Sequence, residues 1–130
     1  MNIASIRSIL SIVSVSASLA VMPVAGFAKP LTITNGTKRP VIVFVNHENA
    51  REFGVLRVMS SSTVDENALA RLCGGNASRC LGEIHKQSNP SDNPIANFIF
   101  NTKTGLTGEG AVAKPFTLVI HNTEVVVGEP

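Results

Sequence analysis

Hydrophobic and polar residues alternate along most of the chain after residue 28, and a period of two residues is typical of half-buried β-strands. Leu31–Thr34 and Phe116–Asn122 alternate most clearly, and the turn dipeptide Asn35-Gly36 follows the first of them. Val41–Asn46 is apolar on both faces, which favours a central strand that is covered on both sides. The same pattern predicts further short strands at residues 53–59, 81–86, 95–101 and 125–127, and the Gly-rich residues 106–113 are expected to form an irregular edge strand or a flap.

One segment departs from this alternation and predicts a single short helix at about residues 64–73. Thr63 and Glu66 have the spacing of a capping box, in which each side chain bonds to a free backbone amide at the start of a helix. Gly74-Gly75 ends the segment. Its apolar residues recur at helical spacing, namely Val64, Ala68, Leu69 and Leu72.

A series of about six or seven short strands with one helix inserted midway predicts a mainly β fold. The expected architecture is a small antiparallel β-sandwich or open barrel with one short helix. The alternative is an α+β arrangement, in which the helix packs on one face of a single sheet.

The N-terminal residues follow the plan of a secretory signal peptide. Arg7 is the one charged residue among residues 1–28, and the apolar run after it is shorter than the ~20 residues that span a bilayer. The small residues Gly26 and Ala28 suit a cleavage site directly after Ala28. We therefore expect residues 29–130 to form a single β-rich domain, periplasmic or secreted, with no membrane span after signal cleavage.

Cys73 and Cys80 are the only cysteines of the chain. In an oxidising compartment a lone pair of cysteines normally forms a disulfide. The six residues between them exceed the spacing of C-x-x-C redox sites, and no further cysteine could complete a zinc knuckle. We expect a structural disulfide that stabilises the fold by about 2–3 kcal/mol.

Composition excludes several classes of function. The formal net charge of +2 gives no electrostatic footprint for nucleic acid or anionic lipid. The chain has no Trp or Tyr to stack on bases or sugars. It also lacks a nucleophile elbow, paired carboxylates and a phosphate-binding loop, so we expect neither an enzyme nor a bound cofactor.

Asn35 and Asn76 match the N-glycosylation pattern, although a turn explains Asn35-Gly36 equally well.

The histidines are the weak candidates for a metal site. His47 lies in a polar turn, and His85 and His121 lie in predicted strands. A site would require at least two of them to approach a common point, which the sequence alone does not bring about. We therefore expect no metal ligands. A metal-binding periplasmic domain that uses these histidines is kept as the third hypothesis.

Binding to a protein partner is the leading hypothesis, through loops or through a sheet edge. The apolar residues Val125 and Val127 near the chain end could extend the sheet of a second copy by edge pairing. The alternative is that this run simply closes the sheet of its own domain. The second hypothesis is a secreted inhibitor or effector that acts on a host or competitor enzyme. Its candidate contact is the loop 87–94, where Pro90 and Pro94 restrict the backbone beside Asp92.

Overall fold

The alternating segments fold into two β-sheets that face one another across the hydrophobic core. The structure is a computed structural model and describes residues 29–130; the predicted signal peptide lies outside these residues. In chain order the elements are β1 (Leu31–Gly36), β2 (Val41–Val45), β3 (Glu48–Asn49), β4 (Ser61–Val64), α1 (Glu66–Cys73), β5 (Cys80–Lys86), β6 (Ala96–Asn101), β7 (Gly105–Val112), β8 (Thr117–His121) and β9 (Glu124–Gly128), with 3-10 helices at Arg51–Phe53 and Gly74–Asn76.

The four-stranded sheet has the order β8-β9-β1-β4, and the five-stranded sheet has the order β3-β2-β5-β6-β7. Neighbouring strands are antiparallel with one exception: β9 runs parallel to β1, so that Val125 aligns with Ile33. The first and last strands of the described chain are therefore neighbours in the middle of one sheet.

Side chains from the facing sides of the two sheets fill the core. Gly82 on β5 leaves room for the ring of Phe98, because a Cβ atom at residue 82 would lie 2.3–2.8 Å from ring carbons. Gly110 on β7 similarly leaves room for the side chains of Leu118 and Ile120 on β8, which close one side of the sandwich. The fully buried residues include Ile33, Val43, Ile84, Phe98, Phe100, Val125 and Val127.

The predicted fold class is confirmed: the protein is mainly β, with two sheets, one short helix and no closed barrel. The described residues contain nine strands because the short strands β3 and β4 join the sheets in addition to those predicted. The strand predicted at residues 53–59 is wrong. That segment ends a 3-10 helix and continues as a loop, with a single bridge between Leu56 and Val41.

The helix begins two residues later than the predicted capping box implies. Asp65, and not Thr63, is the N-cap, and its carboxylate accepts a hydrogen bond of 2.9 Å from the amide of Ala68. Thr63 does not cap the helix because it pairs with Thr32 in the four-stranded sheet. The helix ends at Cys73, and the predicted Cys73–Cys80 disulfide is confirmed. This bond attaches the end of the helix to the start of β5.

No helix in residues 29–130 combines the length and the apolar composition that a membrane crossing requires.

Candidate functional site

The loop 87–94 is held in place by hydrogen bonds along its length. The amide of Gln87 donates to the carbonyl of Pro40 at 3.1 Å, and the amide of Asp92 donates to the carbonyl of Asn89 at 3.2 Å. Below the loop, Nδ1 of His85 lies 3.1 Å from the carbonyl oxygen of Asp92. With two proline residues in addition, the loop has a fixed shape and loses little conformational entropy on binding.

This loop forms one wall of a cleft of about 350 Å³. The opposite wall is the turn 113–116, in which the amide of Phe116 donates to the carbonyl of Ala113 at 2.9 Å. The two walls are joined because the amide of Ala113 donates to the carbonyl of Ile95 at 2.9 Å. Both walls are thus part of the hydrogen-bonded framework of the five-stranded sheet. The cleft is lined by Lys86, Asp92, Asn93, Pro94, Ile95, Ala113, Lys114 and Phe116.

The charges of the cleft are two ammonium groups and one carboxylate. Lys86, Lys114 and Asp92 form no ion pair with any residue that the structure describes. Beside the cleft, the guanidinium carbon of Arg39 lies 5.7 Å from the centre of the Phe116 ring. Arg39 is itself neutralised by Glu129, whose Oε2 lies 2.7 Å from Nη2. The cleft therefore offers unpaired positive charge beside an aromatic wall.

Glu129 attaches the end of the chain to the turn that follows β1. The amide of Lys38 donates to its Oε1 at 3.0 Å, and Arg39 donates to its Oε2. These two hydrogen bonds, with that from Lys38 as the larger cause, hold the pKa of the Glu129 carboxyl below its ordinary value. The carboxylate is therefore charged at neutral pH.

The residues predicted to bind a partner separate into two groups. Asp92 and Pro94 line the cleft, and Pro90 lies exposed in the same loop. Val125 and Val127, in contrast, are fully buried, because β9 lies between β8 and β1 and has no free edge. Of the two alternatives for this strand, residues 29–130 adopt the second: its apolar residues complete the core of its own sheet.

Two of the three histidines approach a common carboxylate, which the sequence analysis did not single out. Nδ1 of His47 and Nε2 of His85 each lie 3.5 Å from Oε1 of Glu83. His121 lies in β8 of the other sheet, where Nδ2 of Asn122 is 3.1 Å from its Nε2. Among residues 29–130, no three His, Cys, Asp or Glu side chains are arranged to hold a metal ion.

The surroundings of His85 decide which of its nitrogens carries a proton. A carbonyl oxygen only accepts, so Nδ1–H donates to the carbonyl of Asp92. Nε2 then faces Oε1 of Glu83 at 3.5 Å. The ring also packs against Phe44 with a centroid distance of 4.5 Å. His85 is therefore a buried support of the loop, whereas His47 is 75% exposed.

A second exposed feature lies at residues 54–60, which we name the apolar loop. The side chains of Val55, Val58 and Met59 are on its surface, and the three residues are 53%, 44% and 78% exposed. The sequence analysis assigned these residues to a strand, in which alternate side chains would be buried. Gly54, at φ 70°, is the sequence signal that could have indicated a loop here.

The buried side chain of Asn35 holds the apolar loop in place through hydrogen bonds. Its Nδ2 donates to the carbonyls of Arg39, Leu56 and Arg57 at 2.8, 3.0 and 3.3 Å. Its backbone carbonyl accepts from the amide of Met59 at 2.8 Å, and Met59 adopts a positive φ of 62°. Asn35 is 0% exposed, so its side chain serves the fold and leaves no room for a glycan.

These features define a two-sheet β protein with rigid surface loops, one cleft-forming and one apolar. Its chain matches no protein-family model and no curated protein. Among solved structures it is similar to the crystal structure of the Legionella pneumophila type II secretion system substrate NttC, with a TM-score of 0.60 and 19% sequence identity. The match covers 78% of this chain and 97% of that chain, and this likeness shows a shared fold.

Proposed function

We propose that this protein is exported, to the periplasm or the cell exterior, and acts there by binding a protein partner without catalysing a reaction. The Cys73–Cys80 disulfide supports export, because disulfides persist in oxidising compartments. The signal-peptide pattern of residues 1–28 supports it independently. The structural neighbour is described as a type II secretion substrate, which agrees with this proposal.

The apolar loop is the observation that carries the binding proposal. Three apolar side chains project from a backbone that Asn35 holds in one conformation. Exposed apolar clusters on small soluble proteins typically mark contact sites. Because the loop is already ordered, burial of Val55, Val58 and Met59 against a partner costs little conformational entropy. The expected partner is a protein with a complementary apolar surface.

The test compares two variants in the native host. V55S/V58S/M59S removes the apolar side chains of the loop, and V119S removes a valine that is 56% exposed on β8. Proteins that co-purify with the tagged wild type from envelope and culture supernatant are quantified by mass spectrometry. We expect a defined set to be retained by the wild type and V119S and reduced at least tenfold with the triple variant.

Equal retention by the triple variant would overturn the proposal, as would the absence of any protein above the tag-only background. Circular dichroism and the intact mass of the oxidised protein verify that each variant is folded and retains its disulfide.

The hydrogen-bonded loop 87–94 favours a second candidate function, a secreted inhibitor or effector of a host or competitor enzyme. Rigid loops of this kind suit insertion into an enzyme cleft. A one-to-one complex with a hydrolase that P90A/P94A weakens would support this function. Retention of the complex by P90A/P94A would show that another surface makes the contact.

A further inference from the structure

The cleft between loop 87–94 and turn 113–116 has a charge arrangement that the fold itself does not use. Lys86 at the end of β5 and Lys114 in turn 113–116 both line it. Neither ammonium group has an acidic partner in the described part of the chain. Arg39, which lies beside Phe116, is paired with Glu129. The two lysines are thus available to an anion that enters from outside.

The shape of the cleft limits the kind of anion. Its volume of about 350 Å³ is at the lower end of the range of about 300–1,000 Å³ found for ligand pockets. This space suits one or two side chains of a larger molecule better than a large cofactor. The ring of Phe116 and the side chains of Pro94 and Ile95 provide apolar contact between the charged groups.

Two further polar groups of the cleft fit a peptide backbone. Within residues 29–130, the side chains of Asp92 and Asn93 make no hydrogen bond, although the backbone of Asp92 is held by Asn89 and His85. A carboxylate and an amide can accept from and donate to the N–H and C=O groups of an extended chain. A simple inorganic anion has no N–H group to donate to the carboxylate of Asp92, whereas the backbone of a peptide does.

We propose that this cleft binds an extended, acidic segment of a protein partner. An Asp or Glu side chain of the segment lies between Lys86 and Lys114, and an apolar neighbour of that residue packs against Phe116. This surface is separate in sequence from the apolar loop, and it gives the loop 87–94 a chemically defined ligand.

The test is a selection of random dodecapeptides displayed on phage against the purified, disulfide-intact protein. Selected peptides are then synthesised and their affinities measured for the wild type, K86E/K114E and the control K103E. Lys103 is an exposed lysine in the turn between β6 and β7, so K103E changes one charge away from the cleft. Circular dichroism establishes that each variant is folded.

We expect the selected peptides to contain Asp or Glu, to bind the wild type and K103E alike, and to bind K86E/K114E at least tenfold more weakly. Replacing the acidic residue of a peptide by Lys is expected to restore binding to K86E/K114E. Selected peptides without an acidic residue, equal binding to K86E/K114E, or no enrichment would each overturn the proposal. None of these outcomes bears on the apolar loop, which is tested by V55S/V58S/M59S.

Discussion

Nδ1 of His85 lies 3.1 Å from the carbonyl oxygen of Asp92, so a buried side chain of β5 supports the middle of the loop that borders the cleft. This contact links the interior of the five-stranded sheet to the cleft on its surface. The conformation of the loop therefore depends in part on a residue that lies outside it.

Replacing His85 by Phe keeps an aromatic ring beside Phe44 but removes the hydrogen bond to Asp92. We expect the amides of Asn89 and Asp92 to exchange with solvent about tenfold faster, the equivalent of about 1.4 kcal/mol for one lost hydrogen bond. Hydrogen-exchange mass spectrometry or NMR measures this. H121F on the other sheet is the control, and unchanged exchange in H85F would show that the prolines alone fix the loop.

Glu129 makes stability depend on pH in the acid range. Its pKa in the folded protein is lowered from the ordinary value of 4.5, chiefly by the amide of Lys38 and then by Arg39. A lowered pKa contributes stability that is present above the unfolded value and is lost as pH falls through the folded value. We expect E129Q to be less stable than the wild type near neutral pH, with a difference that shrinks on acidification.

Urea denaturation at a series of pH values measures this difference. E52Q, which removes an exposed carboxylate at the 3-10 helix, is the control and is expected to show no such convergence. A constant difference between E129Q and the wild type at all pH values would contradict the assignment.

Gly82 is required for packing and not for backbone conformation. The Cβ of G82A would lie 2.3 Å from Cζ of Phe98, which is fully buried. We expect a loss of about 3 kcal/mol in the free energy of unfolding, at the upper end of the range for overpacked cores. G75A, where a Cβ meets no atom within 4 Å, is the matched control for denaturant unfolding. Similar stabilities of G82A and G75A would be inconsistent with the packing described.

Asn35 is predicted to determine the conformation of the apolar loop. N35A removes one donor to each of the carbonyls of Arg39 and Leu56 and the acceptor of the buried Thr37 amide, and we expect a loss of about 2–3 kcal/mol. Faster exchange of the Met59 amide is expected to accompany it, because the loop that carries this amide loses the side-chain hydrogen bonds to Leu56 and Arg57. N76A, at an exposed position, is expected to leave both quantities unchanged. A fully stable N35A would remove the argument that the loop is preorganised.

Removing the disulfide with C73S/C80S is expected to cost about 2–3 kcal/mol, because the bond closes a short loop. The loss is measured by urea denaturation of the variant against the oxidised wild type. A similar loss in the wild type after reduction would show that the bond, and not the serine substitutions, is responsible. No loss in either case would indicate that the helix is held by packing alone.

Local sequence patterns were sufficient to predict most elements and the disulfide. The alternation at Leu31–Thr34 and the helical spacing of Ala68 and Leu69 appear in the structure because one sheet face and one helix face are buried. Contacts between distant residues were not predictable in this way. Nothing near residues 53–59 indicates that Asn35 would hold that segment as a loop.

The candidate site was predicted only in part, for the same reason. The prolines of loop 87–94 marked one wall of the cleft, whereas Lys114 and Phe116 reach it through the pairing of β6 with β7. Strand order also decided the role of Val125 and Val127, since an apolar strand is equally suited to the edge or the middle of a sheet.

The parallel pairing of β9 with β1 has a consequence for the kinetics of folding. Because β9 lies between β8 and β1, the four-stranded sheet cannot assemble until residues from opposite ends of the described chain have met. Such non-local pairing raises the contact order and slows folding, since the entropy of closing a long loop is lost before the contacts form. The five-stranded sheet, whose strands all lie between residues 41 and 112, can form first, and the pairing of β9 with β1 then decides when the remaining half of the core becomes protected from proteases.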